Sequence, residues 1–156
     1  MIRVLAVLLC LAAAPAHALS CLRPSVEGSF ATAHAAPQLY VVGLGRVVLG
    51  EGAAPPAPFG PDRGAVVTEL PAMFSGRIGG RDGFGAAIDL PVTLRLTCAA
   101  HWCGAAPEGE VLTFIEIADT GHRITEGPCP QAILRAEPDT EARAAACLSD
   151  PGRCAP

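Results

Sequence analysis

Cysteine constrains this chain more than any other residue. Seven cysteines are spread over 156 residues, and the first, Cys10, falls inside an apolar N-terminal run. Arg3 is followed by apolar residues from Val4 to Ala14, then by Pro15 and the small-x-small sequence Ala16, His17, Ala18. That order is expected of a secretory signal peptide over residues 1–18, cut after Ala18. A cut after Ser20 is the second possibility. A lipid on Cys21 is disfavoured, because Ala18 stands where lipidation signals usually place Leu. The apolar run falls short of the ~20 residues that cross a bilayer, and no later stretch is long enough either. No stable membrane anchor is therefore expected. Six cysteines remain after cleavage: Cys21, Cys98, Cys103, Cys129, Cys147 and Cys154. An even number in an exported chain argues for disulfides, which persist in the periplasm or outside the cell. The count alone does not choose among the many possible pairings.

The length suits one domain with a modest core. The chain carries a formal net charge of −4, and every basic side chain apart from histidine is Arg. With no basic block and few aromatic residues, nucleic acid is an improbable partner, and anionic membrane surfaces are not favoured. Richness in Gly, Pro and Ala without Lys is the compositional habit of high-GC bacterial genomes. The expected location is therefore a bacterial periplasm or the medium beyond it.

Hydropathy patterning reads mainly as β. Ser25 can cap a short helix up to Ala36, with Glu27 in its first turn, Pro37 as its stop, and Phe30 and Ala33 facing inward. Leu39 to Leu49 is rich in β-branched residues, and Gly43 and Gly45 mark a bend or a close backbone approach. Gly50 to Gly64 is a Pro- and Gly-dense loop without clustered chemical groups, expected to be a solvated insertion. Ala65 to Ile78 carries one or two strands broken at Pro71, and the glycine cluster from Gly79 to Gly85 is a hairpin turn. That cluster is no phosphate cradle, since neither Lys nor a helix follows it. Val92, Leu94, Leu96 and Cys98 alternate with polar residues as a half-buried strand. Val111 to Ile117 is apolar on both faces and should be central. His122 to Glu126 is a short polar strand. Cys129 and Pro130 are expected to end the sheet, Gln131 to Ala136 to make a helical turn, and Asp139 to cap a helix running to Leu148.

Chemistry-bearing residues concentrate at Cys98, His101, Trp102 and Cys103. With His122 they could form a zinc or copper site, but the spacing matches no common zinc pattern, and close cysteines in an oxidising compartment favour a disulfide. No metal and no cofactor are expected. A thiol–disulfide enzyme usually carries Cys-x-x-Cys at a helix start, whereas here a strand precedes the pair. Trp102, the single tryptophan, either covers the disulfide or anchors a partner, so His101 and Trp102 are the candidate binding residues. Glu108, Glu110, Glu116 and Asp119 read as a solvated face rather than a glycosidase pair. His34 has no visible partner, and no serine lies in a nucleophile elbow. No catalytic residue is identified.

A family resemblance joins several of these features. In order stand Cys21, a helical segment with Phe30 and Ala33, a Val-rich strand, a hairpin with Phe74 and Gly76, Cys103 with Gly104, Gly109, Phe114 and Cys129. This resembles the netrin-like, or tissue-inhibitor-of-metalloproteinase-like, domain. The resemblance implies a five-stranded barrel of the oligonucleotide/oligosaccharide-binding (OB) type. It also implies that Cys21 ties the N-terminus to Cys129 or Cys103. Cys21–Cys129 is the expectation adopted, which leaves Cys98–Cys103 as a loop staple and Cys147–Cys154 as a tail staple. Such inhibitors ligate the target's zinc through the α-amine of their first cysteine, and a cut after Ala18 would remove that amine here.

The expected architecture is a mainly β, disulfide-stapled, OB-like antiparallel barrel over residues 19–130, with short helices at its N- and C-terminal ends and a helical tail over residues 131–156. The expected function is a non-catalytic binding module for an unidentified protein or small ligand. A redox or metal-handling role centred on Cys98, His101 and Cys103 is the alternative, and protease inhibition through the N-terminal segment is a third.

Overall fold

The computed structural model describes residues 20–154. The expected signal peptide, with Cys10, and the expected cut after Ala18 lie outside the described residues. The element order is helix α1 (Val26–Ala35), strands β1 (Tyr40–Leu49), β2 (Val67–Gly80), β3 (Gly83–Ala99), β4 (Trp102–Cys103), β5 (Val111–Ala118), β6 (Gly121–Glu126) and β7 (Ile133–Arg135), then helix α2 (Thr140–Ser149) and a short 3-10 turn, Pro151–Arg153. The chain is thus mainly β with a short helix at each end, and all three expected disulfides are present: Cys21–Cys129, Cys98–Cys103 and Cys147–Cys154.

Five strands close a ring. β1 pairs with β2, β2 with β3, β3 with β6, β6 with β5, and β5 returns to β1. Every pairing around it is antiparallel except β3 with β6, where Leu94 lies beside Ile124 in parallel register. β7 adds to β5 through Val111↔Arg135 and Thr113↔Ile133. The sheet therefore does not end at Cys129 and Pro130, and Gln131 to Ala136 make no helical turn. Ile133 and Leu134 bury opposite faces of a short strand, a pattern too brief to show a period.

Alternation in the strands makes two apolar layers. Inward residues Val47, Phe74, Leu94, Leu96, Ile115 and Ile124 fill the ring. Outward residues Val42, Leu44, Leu112 and Phe114 meet Val26 of α1 and Ala144 and Cys147 of α2. β5 serves both layers, which is why its sequence is apolar on both faces. Close approach of β1 and β2 demands glycine: a Cβ on Gly45 would strike the Ser75 carbonyl, and one on Gly76 would strike the Leu44 carbonyl.

β2 runs unbroken through Pro71, contrary to the expected break. Its ladder with β1 ends at Leu49↔Ala72, so the donor that proline lacks falls where no β1 residue needs it. The Pro71 carbonyl still accepts the Gly50 N–H at 2.8 Å. The β2–β3 hairpin turns at the glycine cluster and packs on α2, where Leu148 lies over Gly79 and Arg77 makes a bidentate pair with Glu141 at 2.7 and 2.8 Å.

The helices follow their sequence signals. Ser25 Oγ accepts the Gly28 N–H at 3.1 Å. Asp139 occupies the N-cap of α2 but makes no capping bond, and its carboxylate instead pairs with Arg143 at 3.5 Å. Arg143 also forks onto Glu27, tying α2 to α1. That guanidinium holds the Glu27 carboxyl below its ordinary range.

Candidate functional site

The β3–β4 hairpin is a tightly constrained segment of the surface. Cys98 and Cys103 face one another across it and are joined, with Ala99 paired to Trp102 one step further out. Only Ala100 and His101 remain to make the turn. Ala100 takes φ +51°, at the position glycine occupies in type II′ hairpins. Both cysteines are 5% exposed.

Gly50 to Gly64 is largely exposed, as expected of a solvated insertion, but it is not free: together with Val66 it docks along this hairpin. The Cys103 N–H donates to the Pro58 carbonyl at 2.9 Å, Gly60 N–H to His101 at 3.1 Å, Arg63 N–H to Ala100 at 2.9 Å, and Cys98 N–H to Val66 at 2.8 Å. Arg63 Nη1 reaches the Ala57 carbonyl and the Cys103 sulfur. His101 Nδ1 lies 3.0 Å from the Gly60 carbonyl.

This docking gathers three rings on one tip. Phe59 lies 4.9 Å from the Trp102 ring and 6.1 Å from the His101 ring. All three residues are exposed, Phe59 at 61% and Trp102 at 40%. By strand alternation Trp102 points away from the face that carries Cys103. The fixed backbone removes much of the ordering cost of presenting such rings to a ligand.

Beside the tip the ring opens. A cavity of about 460 Å³ is bordered by Pro58, Trp102, Glu108, Val111, Glu126 and Arg135, and we call it the mouth. Glu126 faces the interior of the ring and is 4% exposed. Burial pushes its carboxyl up to about 7, while nearby backbone N–H groups, Gln131 foremost, act in the opposite direction. A second cavity, about 380 Å³, lies between the helices and β1 and is bordered by Phe30, His34, Tyr40, Phe114 and Leu148. Burial there raises the Tyr40 hydroxyl above its ordinary value, and the Glu116 carboxylate adds to the effect.

The structure brings Cys98, His101, Trp102 and Cys103 together, as their spacing implies, and places Cys21–Cys129 and Cys147–Cys154 elsewhere. His122 does not join them. It is the second residue of β6, opposite Ile117, whereas the hairpin lies beyond the other end of that strand. Among the described residues no three His, Cys, Asp or Glu side chains are grouped to hold a metal ion, and both cysteine sulfurs are consumed by the disulfide. Of the acidic residues read as solvated, Glu108, Glu110 and Asp119 are exposed, but Glu116 is half-buried and bidentate with Arg123 at 2.9 and 3.2 Å. Sequence reasoning missed Phe59 and Glu126. Phe59 had no detectable signal, since backbone hydrogen bonds place it. Glu126 had one: it shares strand parity with Ile124 and so falls on the buried face.

No protein-family model matches this chain, and no curated protein or solved structure matches it significantly. Among the described residues no helix is long and apolar enough to cross a membrane.

Proposed function

We propose that the chain is an exported, non-catalytic binding module built on an OB-type barrel. In this reading the tip of Phe59, His101 and Trp102 and the adjoining mouth receive a protein or small ligand. The ring order, with β3 and β6 as its one parallel pair, supports assignment to this barrel class, which commonly binds through the loops and faces of its strands. Three disulfides support an oxidising compartment. The observation that carries the binding reading is the exposed aromatic tip, rigid at its backbone and bordering a cavity of ligand size. Enclosure of Cys98 and Cys103 argues for a staple rather than a redox pair, which would need an accessible sulfur.

Trp102 is the only tryptophan, so its fluorescence reports on the tip without labelling. The intact, oxidised protein should be titrated with soluble oligosaccharides and with short peptides. A saturable emission change, weakened at least about tenfold in affinity by Phe59→Ala, is the expected result. Ligands that bind with no dependence on Phe59 or Trp102, or no binder in either class, would remove this reading.

A further inference from the structure

Glu126 is the last residue of β6 and points, with Ile124, into the ring. Its Oε1 accepts the Gln131 N–H at 3.2 Å, closing a loop that contains Cys129. Its Oε2 is buried with no hydrogen-bond partner. Among the described residues it belongs to no ion pair. The charged and titratable groups that border the same cavities are Glu108 and Arg135 across the mouth and Tyr40 on the α1 side. Arg95 of β3 and Arg123 of its own strand lie at the opposite strand parity and point away from the interior. The loop after Glu126 has space on two sides. The mouth is one, and the other is a cavity of about 230 Å³ bordered by Ser29, Tyr40, Phe114 and Gln131.

We propose that Glu126 is a proton-operated latch on the loop that walls the mouth, closed when the carboxyl is neutral and released when it ionises. The neutral acid can hold the Gln131 N–H through one oxygen without burying a charge. The carboxylate buries a charge that no cation pairs and that the Gln131 N–H and neighbouring backbone N–H groups offset only in part, which is unfavourable in low dielectric. It regains solvation when the loop moves and water enters, and the flanking cavities leave room for that movement. Cys21–Cys129 tethers the loop at its middle, so the change is a local opening rather than an unfolding. Burial places the transition near neutral pH, so a periplasm that follows external acidity would operate the latch. This inference concerns the loop and does not depend on the proposed ligand.

The test uses the intact, oxidised protein and two nuclear magnetic resonance readouts from about pH 5 to about pH 9. These are the carboxyl carbon of Glu126 and the exchange of the Gln131 amide, corrected for its intrinsic pH dependence. The carboxyl should titrate with a midpoint of about 7. Gln131 protection should fall about tenfold or more across the same midpoint, and Glu126→Gln should remain protected throughout. A carboxyl midpoint in the ordinary glutamate range overturns the latch. So does a Gln131 amide whose protection does not follow the carboxyl, or a Glu126→Gln protein that titrates like the parent. If that variant fails to fold, the two readouts on the parent protein decide the question.

Discussion

On the helix side of the ring, Leu112 and Phe114 of β5 meet Val26, Ala144 and the Cys147–Cys154 disulfide across an apolar seam, and Phe30 stands edge-on to Phe114 at 5.0 Å. On the mouth side, a left-handed alanine turns a two-residue hairpin, a carboxyl is buried with one oxygen unpaired, and Phe59 and Trp102 face solvent. Both sides carry a short disulfide, with sequence separations of 7 and 5, so loop-closure entropy does not distinguish them. The surroundings do. The helix side gains stability from burial, whereas the mouth side carries three features that each cost stability. Departures of that kind collect where a surface is kept for something other than folding.

Truncation separates the two sides most sharply. Phe114 is 3% exposed, and Phe114→Ala should cost about 3–5 kcal/mol of unfolding free energy, the range for large core truncations. Trp102→Ala should cost about 1 kcal/mol or less, because its ring is partly solvated and packs chiefly on Phe59. Urea denaturation of both variants measures the difference. Equal losses would mean that the tip is part of the core, and the contrast between the two sides would disappear.

The pH dependence of stability offers a second, smaller contrast. Glu126 moves from its ordinary value of 4.5 to about 7 on folding. The folded state therefore holds a proton that the unfolded state has released, and stability falls as pH rises from 4.5 to 7. One unit corresponds to ~1.36 kcal/mol, so the fall amounts to about 3 kcal/mol at most. Glu27 and Glu141 act with the opposite sign. Arg143 and Arg77 hold these carboxyls below 4.5, so their contribution is present above that value and fades in acid. Thermal unfolding should show greatest stability near the lower end of the window set by Glu126. Glu126→Gln should flatten the neutral limb and leave the acid limb unchanged. A neutral limb that persists in this variant would move the cost to another group.

The same contrast explains what could be read from the sequence. The helix side announced itself: Ser25 as a cap, Phe30 and Ala33 as an inward face, and β5 as a strand apolar on both sides are local signals. The ring's closure had no signature in the strands themselves, since no local pattern specifies that β5 returns to β1. The mouth side was half legible. Cys98, His101, Trp102 and Cys103 are adjacent in sequence and arrive together. Phe59 lies some forty residues upstream and is placed by backbone hydrogen bonds, which leave no side-chain signature. The strand through Pro71 was misread because proline's tolerance depends on whether a neighbour needs its missing donor, which is a property of the assembled sheet. β7 was misread because three residues are too few to show a period.

The smallest effect tests whether the hairpin's strain serves the tip. Ala100 is exposed and buries nothing that a glycine would lose. An alanine in the left-handed region costs about 1–2 kcal/mol relative to its preferred conformations. Glycine escapes that cost but gives up about 0.5–1 kcal/mol through the entropy of the unfolded chain. Ala100→Gly should therefore stabilise the protein by about 0.5–1 kcal/mol. The Arg63 N–H still reaches the carbonyl at position 100, so the docked loop should remain in place and Trp102 emission should not change. Stabilisation with an unaltered tip would make the left-handed alanine a tolerated cost, with rigidity supplied by Cys98–Cys103 and the docked loop. Stabilisation with an altered emission would show that alanine's narrow conformational range helps to fix the three rings, and that stability is given up at this corner to hold the tip still.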